Sequence, residues 1–163
     1  MRATLKRLGI AEADFLRACD GSFKQGTRFE GWSTGDAHDR YYHPFTRPDD
    51  IAPRDLVAAW KREAPNLPFA HAVSPQPHIC DAGLAPRPLG MADYVGGFNY
   101  AYHFDAGKFA AFLRGHAVQR FAVRHLSDHV VAVERAADGD ISVVRTRASG
   151  SIEGDLFIAV NKS

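Results

Sequence analysis

Residues Gly21 to Trp32 read Gly-Ser-Phe-Lys-Gln-Gly-Thr-Arg-Phe-Glu-Gly-Trp, alternating aromatic or neutral residues with charged ones at period two. Successive side chains of a strand point to opposite faces, so this stretch predicts a β-strand with one greasy and one polar edge. Ser22, Lys24, Gly26, Arg28, Glu30 and Trp32 share one face, and Phe23, Gln25, Thr27, Phe29 and Gly31 the other. Taken alone, Lys24 on such a strand reads as a solvated surface charge.

The flanking segments supply helices and further strands. Met1 to Leu8 looks like a short helix that Gly9 closes as a C-cap, and Ala11 to Cys19 a second, with Phe15 and Leu16 as its apolar positions. Ser33 to Asp39 is a polar loop. Tyr41-Tyr42-His43-Pro44-Phe45 is expected to be extended, which would put Tyr41, His43 and Phe45 on one face. Arg54 to Glu63 predicts a helix with Leu56, Val57 and Trp60 on one stripe. Prolines at 65, 68, 75, 77, 86 and 88 argue against long regular elements between Pro65 and Gly97.

Order returns at Asn99 to Asp105. Asp105 is a natural N-cap for a helix from Ala106 to about Arg120, whose Phe109, Phe112, Leu113, His116 and Ala117 fall at helical spacing. Tyr100, Tyr102 and Phe104 sit at period two and read as core. Strands are expected over His129 to Arg135 and Ile141 to Arg147, joined by an Asp138-Gly139 turn, then a turn at Gly150 and extended chain from Asp155 to Val160. The fold class is therefore α+β: short helices, an irregular proline-rich middle and C-terminal hairpin strands.

Composition removes several functions. A length of 163 residues suits one domain, and the 24% charged and 45% hydrophobic residues mark it as globular. A net charge of +1 with scattered lysines and arginines argues against nucleic acid as partner. No apolar run reaches transmembrane length and no signal-peptide core is present, so no membrane association and a cytoplasmic location are expected. Cys19 and Cys80 form neither a disulfide framework nor a Cys-x-x-Cys pair, and eight histidines include no His-x-His or His-Glu-x-x-His, so no metal site is expected. Nucleophile elbow, Walker loop and Gly-x-Gly-x-x-Gly are all absent.

Four segments taken together resemble consecutive landmarks of the flavin-dependent tryptophan halogenases: Ser22 to Trp32, Tyr41 to Phe45, Asn99 to Ala106 ahead of a helix, and Asp155 to Ile158. Ala72 to Arg87, with its Ser-Pro-Gln-Pro and Leu-Ala-Pro pieces, is similar as well. The likeness is closest to the branch that accepts indoles and other simple aromatics, through Tyr-Tyr-His-Pro-Phe and Phe-Lys-Gln-Gly.

The resemblance implies a part of an FAD-dependent monooxygenase-like α/β fold. It also implies a chemistry. In that family reduced FAD, supplied by a separate flavin reductase, reacts with dioxygen to a hydroperoxide; halide attacks it, and hypohalous acid passes through a tunnel to a lysine beside the aromatic substrate. Lys24 matches the lysine, His43 and Phe45 the pair around the substrate ring, and Val130 a position lining the flavin adenine site. Desolvation lowers the pKa of an amine in a dry pocket, so such a lysine can be halogenated as a nucleophile or can position the hypohalous acid by hydrogen bonding.

The chain also departs from the family. No Gly-rich FAD loop precedes the lysine strand, no Trp-x-Trp-x-Ile-Pro follows it, and Ala159-Val160-Asn161-Lys162-Ser163 stands where a flavin-contacting Asp-Cys-Ser-Gly belongs. Residues 1–163 are accordingly expected to be a single partial domain. It would be the lysine-bearing central module of a halogenase-like flavoprotein, without the N-terminal dinucleotide-binding loop or the C-terminal region. Such a chain would be inactive alone, with FAD binding doubtful, and exposed apolar area would favour self-association. The alternative is a non-catalytic remnant, or a module whose aromatic cluster binds a ligand or partner.

Overall fold

Gly9 ends the first helix as the sequence predicts. Helix α1 (Arg2–Arg7) stops where Gly9 takes a φ of +71°, and the Ile10 amide donates back to the Leu5 carbonyl over 3.1 Å. The computed structural model describes residues 1–36, 38–48 and 52–160. Ala37 of the polar loop and Asn161 to Ser163 of the tail, both read above, lie outside them. The chain divides into two compact units, one up to Leu113 and one from Arg114.

In the first unit, α2 (Glu12–Ala18) presents Phe15 to a core of Leu5, Ile10, Cys19, Tyr100 and Tyr102. Phe15 is wholly buried, with the rings of Tyr102, Phe104 and Phe109 edge-on at 5.0, 5.6 and 5.6 Å. Burying such a side chain is worth about 1.5–3 kcal/mol, and the edge-on geometry adds to it. Tyr100 and Tyr102 are thus core residues, as their spacing suggested. Helix α6 (Ala106–Phe121) starts at Asp105, whose Oδ1 accepts the Lys108 amide at 2.8 Å, the N-cap read from sequence.

The single strand expected from Gly21 to Trp32 is two strands in two sheets. β1 (Ser22–Lys24) pairs antiparallel with β4 (Ala101–His103), and β2 (Gly26–Glu30) with β3 (Arg40–Pro44). The break falls at Gln25, which is buried and donates from Nε2 to the Leu84 carbonyl at 2.8 Å. Gly26 follows because a Cβ there would lie 2.5 Å from the His43 carbonyl oxygen. Cross-strand pairing puts Arg28 opposite Tyr42 and stacks Phe29 on Tyr41 at 4.9 Å.

α3 (Pro53–Glu63) forms where expected. The proline-rich stretch contains two short helices that the sequence reading omitted, α4 (Phe69–Val73) and α5 (Gln76–Asp81). Prolines at 68, 75 and 77 stand before or within their first turns, where a missing amide costs nothing.

The second unit is a meander of β5 (Val130–Arg135), β6 (Ile141–Thr146) and β7 (Gly150–Glu153), in the order β5-β6-β7. Gly139 turns the β5–β6 hairpin with a φ of +95°. The β7 strand begins at Gly150, where only a turn was expected, and Asp155 to Val160 forms no strand among the described residues. Val131, Val133, Leu156 and Ile158 are exposed.

Candidate active site

Lys24 ends β1 opposite Ala101 of β4. Its half-buried side chain enters a cavity of about 260 Å³ bordered also by Gly26, Arg28, Tyr42, Pro44, Cys80 and His103. The solvated surface charge that alternation alone suggested is therefore a cavity residue. Its Nζ stands 5.8 Å from the centre of the Phe45 ring, within reach of a cation–π attraction.

Phe45 is brought there by backbone. β3 ends at Pro44, and the Phe45 amide donates to the Gln25 carbonyl at 2.9 Å. Gln76, fully buried, fixes the next residue: its Oε1 accepts the Thr46 amide at 2.8 Å, while its Nε2 donates to the Asn99 carbonyl at 2.8 Å. Gln25 and Gln76 are positioning residues that pattern reading missed. The available signal was a lone glutamine between two prolines in Ser-Pro-Gln-Pro, a polar side chain where only turn chemistry was sought.

Alternation was expected to place His43 beside Phe45. β3 ends at Pro44, one residue short of Phe45. His43 borders a larger cavity of about 510 Å³ with Tyr41, Leu56, Val57, Phe69 and Val73, which neither Lys24 nor Phe45 borders. Val130 opens β5 in the second unit and is 58% exposed.

Tyr42 carries the polar wall of the Lys24 cavity. Its hydroxyl donates to Asp81 Oδ1 at 2.5 Å, and His71 Nε2 lies 2.8 Å from Asp81 Oδ2. The His71 and Tyr42 bonds hold the Asp81 carboxyl below the usual carboxylate range, and the same bond, with burial, pushes the Tyr42 phenol up. Tyr42 therefore stays a neutral donor to an ionised Asp81. Burial, then Asp81, pushes the Cys80 thiol up, so it sits in the cavity as a neutral thiol. Arg28 is paired with Glu30 at 2.5 Å. Lys24 is thus the one primary amine among the residues bordering this cavity.

Among the described residues no group of three or more His, Cys, Asp or Glu is placed to hold a metal ion, and no helix is long and apolar enough to cross a membrane.

The family model described as tryptophan halogenase matches residues 1–160. The chain is 34% identical to 7-chloro-L-tryptophan 6-halogenase KtzR of Kutzneria sp. (strain 744), with 93% of this chain and 33% of the relative covered. It is 34% identical to tryptophan 7-halogenase RebH of Lentzea aerocolonigenes, over 93% of this chain and 31% of the relative. Among solved structures, the tryptophan halogenase of Shewanella frigidimarina NCIMB 400 is similar with a TM-score of 0.80 and 40% identity, covering 96% of this chain and 30% of the other. BrvH, a flavin-dependent halogenase of Brevundimonas sp. BAL3, gives a TM-score of 0.74 and 26% identity over 96% of this chain and 33% of the other. The chain spans about a third of the length of the curated relatives it matches.

Proposed function

Since the chain belongs to the tryptophan halogenase family, we propose that it is the lysine-bearing module of a flavin-dependent halogenase acting on tryptophan, indole or a related aromatic, with Lys24 presenting the electrophilic halogen. The observation that carries this reading is the Lys24 amine, set at a cavity of mixed polar and apolar lining and held over the Phe45 ring. The Phe45 ring, whose centre lies 5.8 Å from the amine, offers a flat surface that can orient an aromatic substrate near Lys24 at little entropic cost.

The chemistry balances with hypohalous acid as the arriving oxidant. The Nζ lone pair attacks the halogen, an N–X bond forms as the O–X bond breaks, and hydroxide leaves with the amine proton as water. A ring carbon then takes the halogen, the N–X bond breaks with its electron pair left on nitrogen, and the ring proton passes to that nitrogen as the aromatic system is restored, which regenerates the amine. If Lys24 instead stays an ammonium ion, it donates a hydrogen bond to the hypohalous oxygen and polarises the same O–X bond.

FAD fits this chain only in part. Among the described residues no glycine-rich turn leads from a strand into a helix, so no pyrophosphate cradle is offered. Exposed Val130 offers apolar surface for an adenine ring. When bound, reduced FAD supplies with dioxygen the oxidising equivalent that turns halide into electrophilic halogen. Within this proposal the FAD comes reduced from a separate flavin reductase, in a cytoplasmic setting, and the chain is a piece of an FAD-dependent monooxygenase-like fold that is inactive alone.

The test joins the chain to the flanking segments of the Shewanella frigidimarina relative and supplies reduced FAD, halide and tryptophan or indole. Halogenated product, read by mass spectrometry, is expected from the assembled protein and not from its Lys24→Ala variant. Product formation indifferent to that substitution overturns the reading.

A second reading rests on His43 bordering a larger apolar cavity apart from Lys24. There the chain binds an aromatic ligand without catalysis. Indole binding by the isolated chain, without flavin and insensitive to Lys24→Ala, would favour it.

A further inference from the structure

Glu12 is the most deeply buried carboxylate among the described residues, 1% exposed at the start of α2, and the chemistry above makes no use of it. A charge so placed is costly unless every lone pair is met. Here they are. Oε1 accepts the Tyr100 hydroxyl at 2.7 Å and the Tyr102 hydroxyl at 2.5 Å; Oε2 accepts the Tyr94 amide at 3.0 Å and pairs with the Arg87 guanidinium. Burial opposes the charge, yet these partners together hold the Glu12 carboxyl below its ordinary range. Well-packed apolar side chains would hold a core of this size at least as firmly. They could not fix the position of two hydroxyl groups.

Those hydroxyls flank Ala101, the cross-strand partner of Lys24. The β1–β4 ladder is only three pairs long: Ser22 with His103, Phe23 with Tyr102, Lys24 with Ala101. So short a ladder specifies its own register weakly, and a slip of one residue turns every side chain to the opposite face. Because Tyr100 and Tyr102 alternate with Ala101, β4 cannot slip without breaking both bonds to Glu12.

We propose that Glu12 is the positioning residue of the lysine strand: by anchoring Tyr100 and Tyr102 it fixes the β1–β4 register and so the face on which Lys24 enters its cavity. This rests on the reading of Lys24 as the reacting group. Setting register is the best-attested use of a buried polar group. Glu12 itself touches no reacting atom.

The experiment uses the full chain and does not require halogenation. Lysines are acetylated with sulfo-N-hydroxysuccinimide acetate, and the rate at Lys24 is read by peptide mass spectrometry against Lys6, Lys61 and Lys108. Lys24 is also followed by NMR after ¹³C-methylation. Glu12→Gln, which keeps an acceptor for the tyrosines but places an amide against Arg87 and the Tyr94 amide, should raise the relative Lys24 rate about fivefold, the worth of one net hydrogen bond. It should also split the Lys24 resonance into two registers. Tyr102→Phe removes one donor and should move both readouts the same way; it serves if Glu12→Gln does not fold. Variants with native near-UV circular dichroism, an unsplit resonance and a Lys24 rate within about twofold of the parent would overturn the proposal. If Lys24→Ala spares halogenation while Glu12→Gln frees Lys24, the functional reading falls and the positioning role stands. If Lys24→Ala abolishes halogenation and Lys24 ignores Glu12, the positioning role falls alone.

Discussion

The unit that carries Lys24 and the unit that carries Val130 are stabilised in opposite ways. Up to Leu113 the chain has its own core, in which Phe15 and Cys19 are wholly buried and Tyr100 and Tyr102 nearly so. From Arg114 on, no described residue is fully buried, and the sheet is held by its backbone ladder and by turns. Val130 and Val131 are each 58% exposed, at the register shift that separates Val130 from Ala132 in the β5–β6 ladder. Lys24 is thus set by packing within its own unit. Val130 is set by a backbone ladder whose valines are exposed.

The largest expected effect tests whether the core belongs to the lysine unit alone. Phe15→Ala removes a fully buried ring with three aromatic neighbours and should cost about 3–5 kcal/mol. The matching truncation in the other unit, Val131→Ala, removes exposed surface and should change stability by less than about 0.5 kcal/mol. Urea titrations of both variants, followed by hydrogen exchange on each unit, check the pair. Equal losses would mean that the two units are stabilised alike.

A smaller effect is expected at Gly26, where β2 approaches the His43 carbonyl too closely for a Cβ. Gly26→Ala should cost about 1–3 kcal/mol, an overpacking penalty, and displace β3 from β2. The amide exchange of Phe29 and Tyr41 should quicken while β5 and β6 are unaffected.

The same position shows what could be read before the structure. Alternation put Lys24, Gly26 and Arg28 on one face; all three border one cavity, but so do Phe23 and Gln25 of the other face, because the strand breaks at Gln25. Local signals with a short physical range were legible: the Gly9 cap, the Asp105 cap and the Asp138-Gly139 turn. The break at Gln25 was not, because its cause is a carbonyl of Leu84 far along the chain. Glu12 was silent for the same reason, its partners Arg87, Tyr94, Tyr100 and Tyr102 being gathered by the fold and not by any spacing. Helices α4 and α5 were hidden by prolines that occupy helix starts.

Acid separates the two units last and most gently. Glu12 has a folded pKa below its ordinary 4.5, despite burial, because of its hydrogen bonds and Arg87. A group depressed in the folded state contributes stability that is full above the unfolded pKa and lost as pH falls through the folded one. The lysine unit should therefore begin to weaken as pH drops below 4.5. In the other unit Asp128 is the counterpart, held below its ordinary 3.8 first by the Ser149 side chain and then by the amides of His129, Ala148 and Ser149. Its contribution should persist until pH passes below 3.8, and because Asp128 lies at the surface the loss should be local. Amide exchange across pH 5 to about 3 is expected to show Tyr94 exposed before Ala148 and Ser149. Asp128→Asn should quicken exchange at Ala148 and Ser149 at neutral pH and leave the order of events around Lys24 as it was; an Asp128→Asn variant in which the Tyr94 amide also loosens would show that the two units do not respond to acid independently.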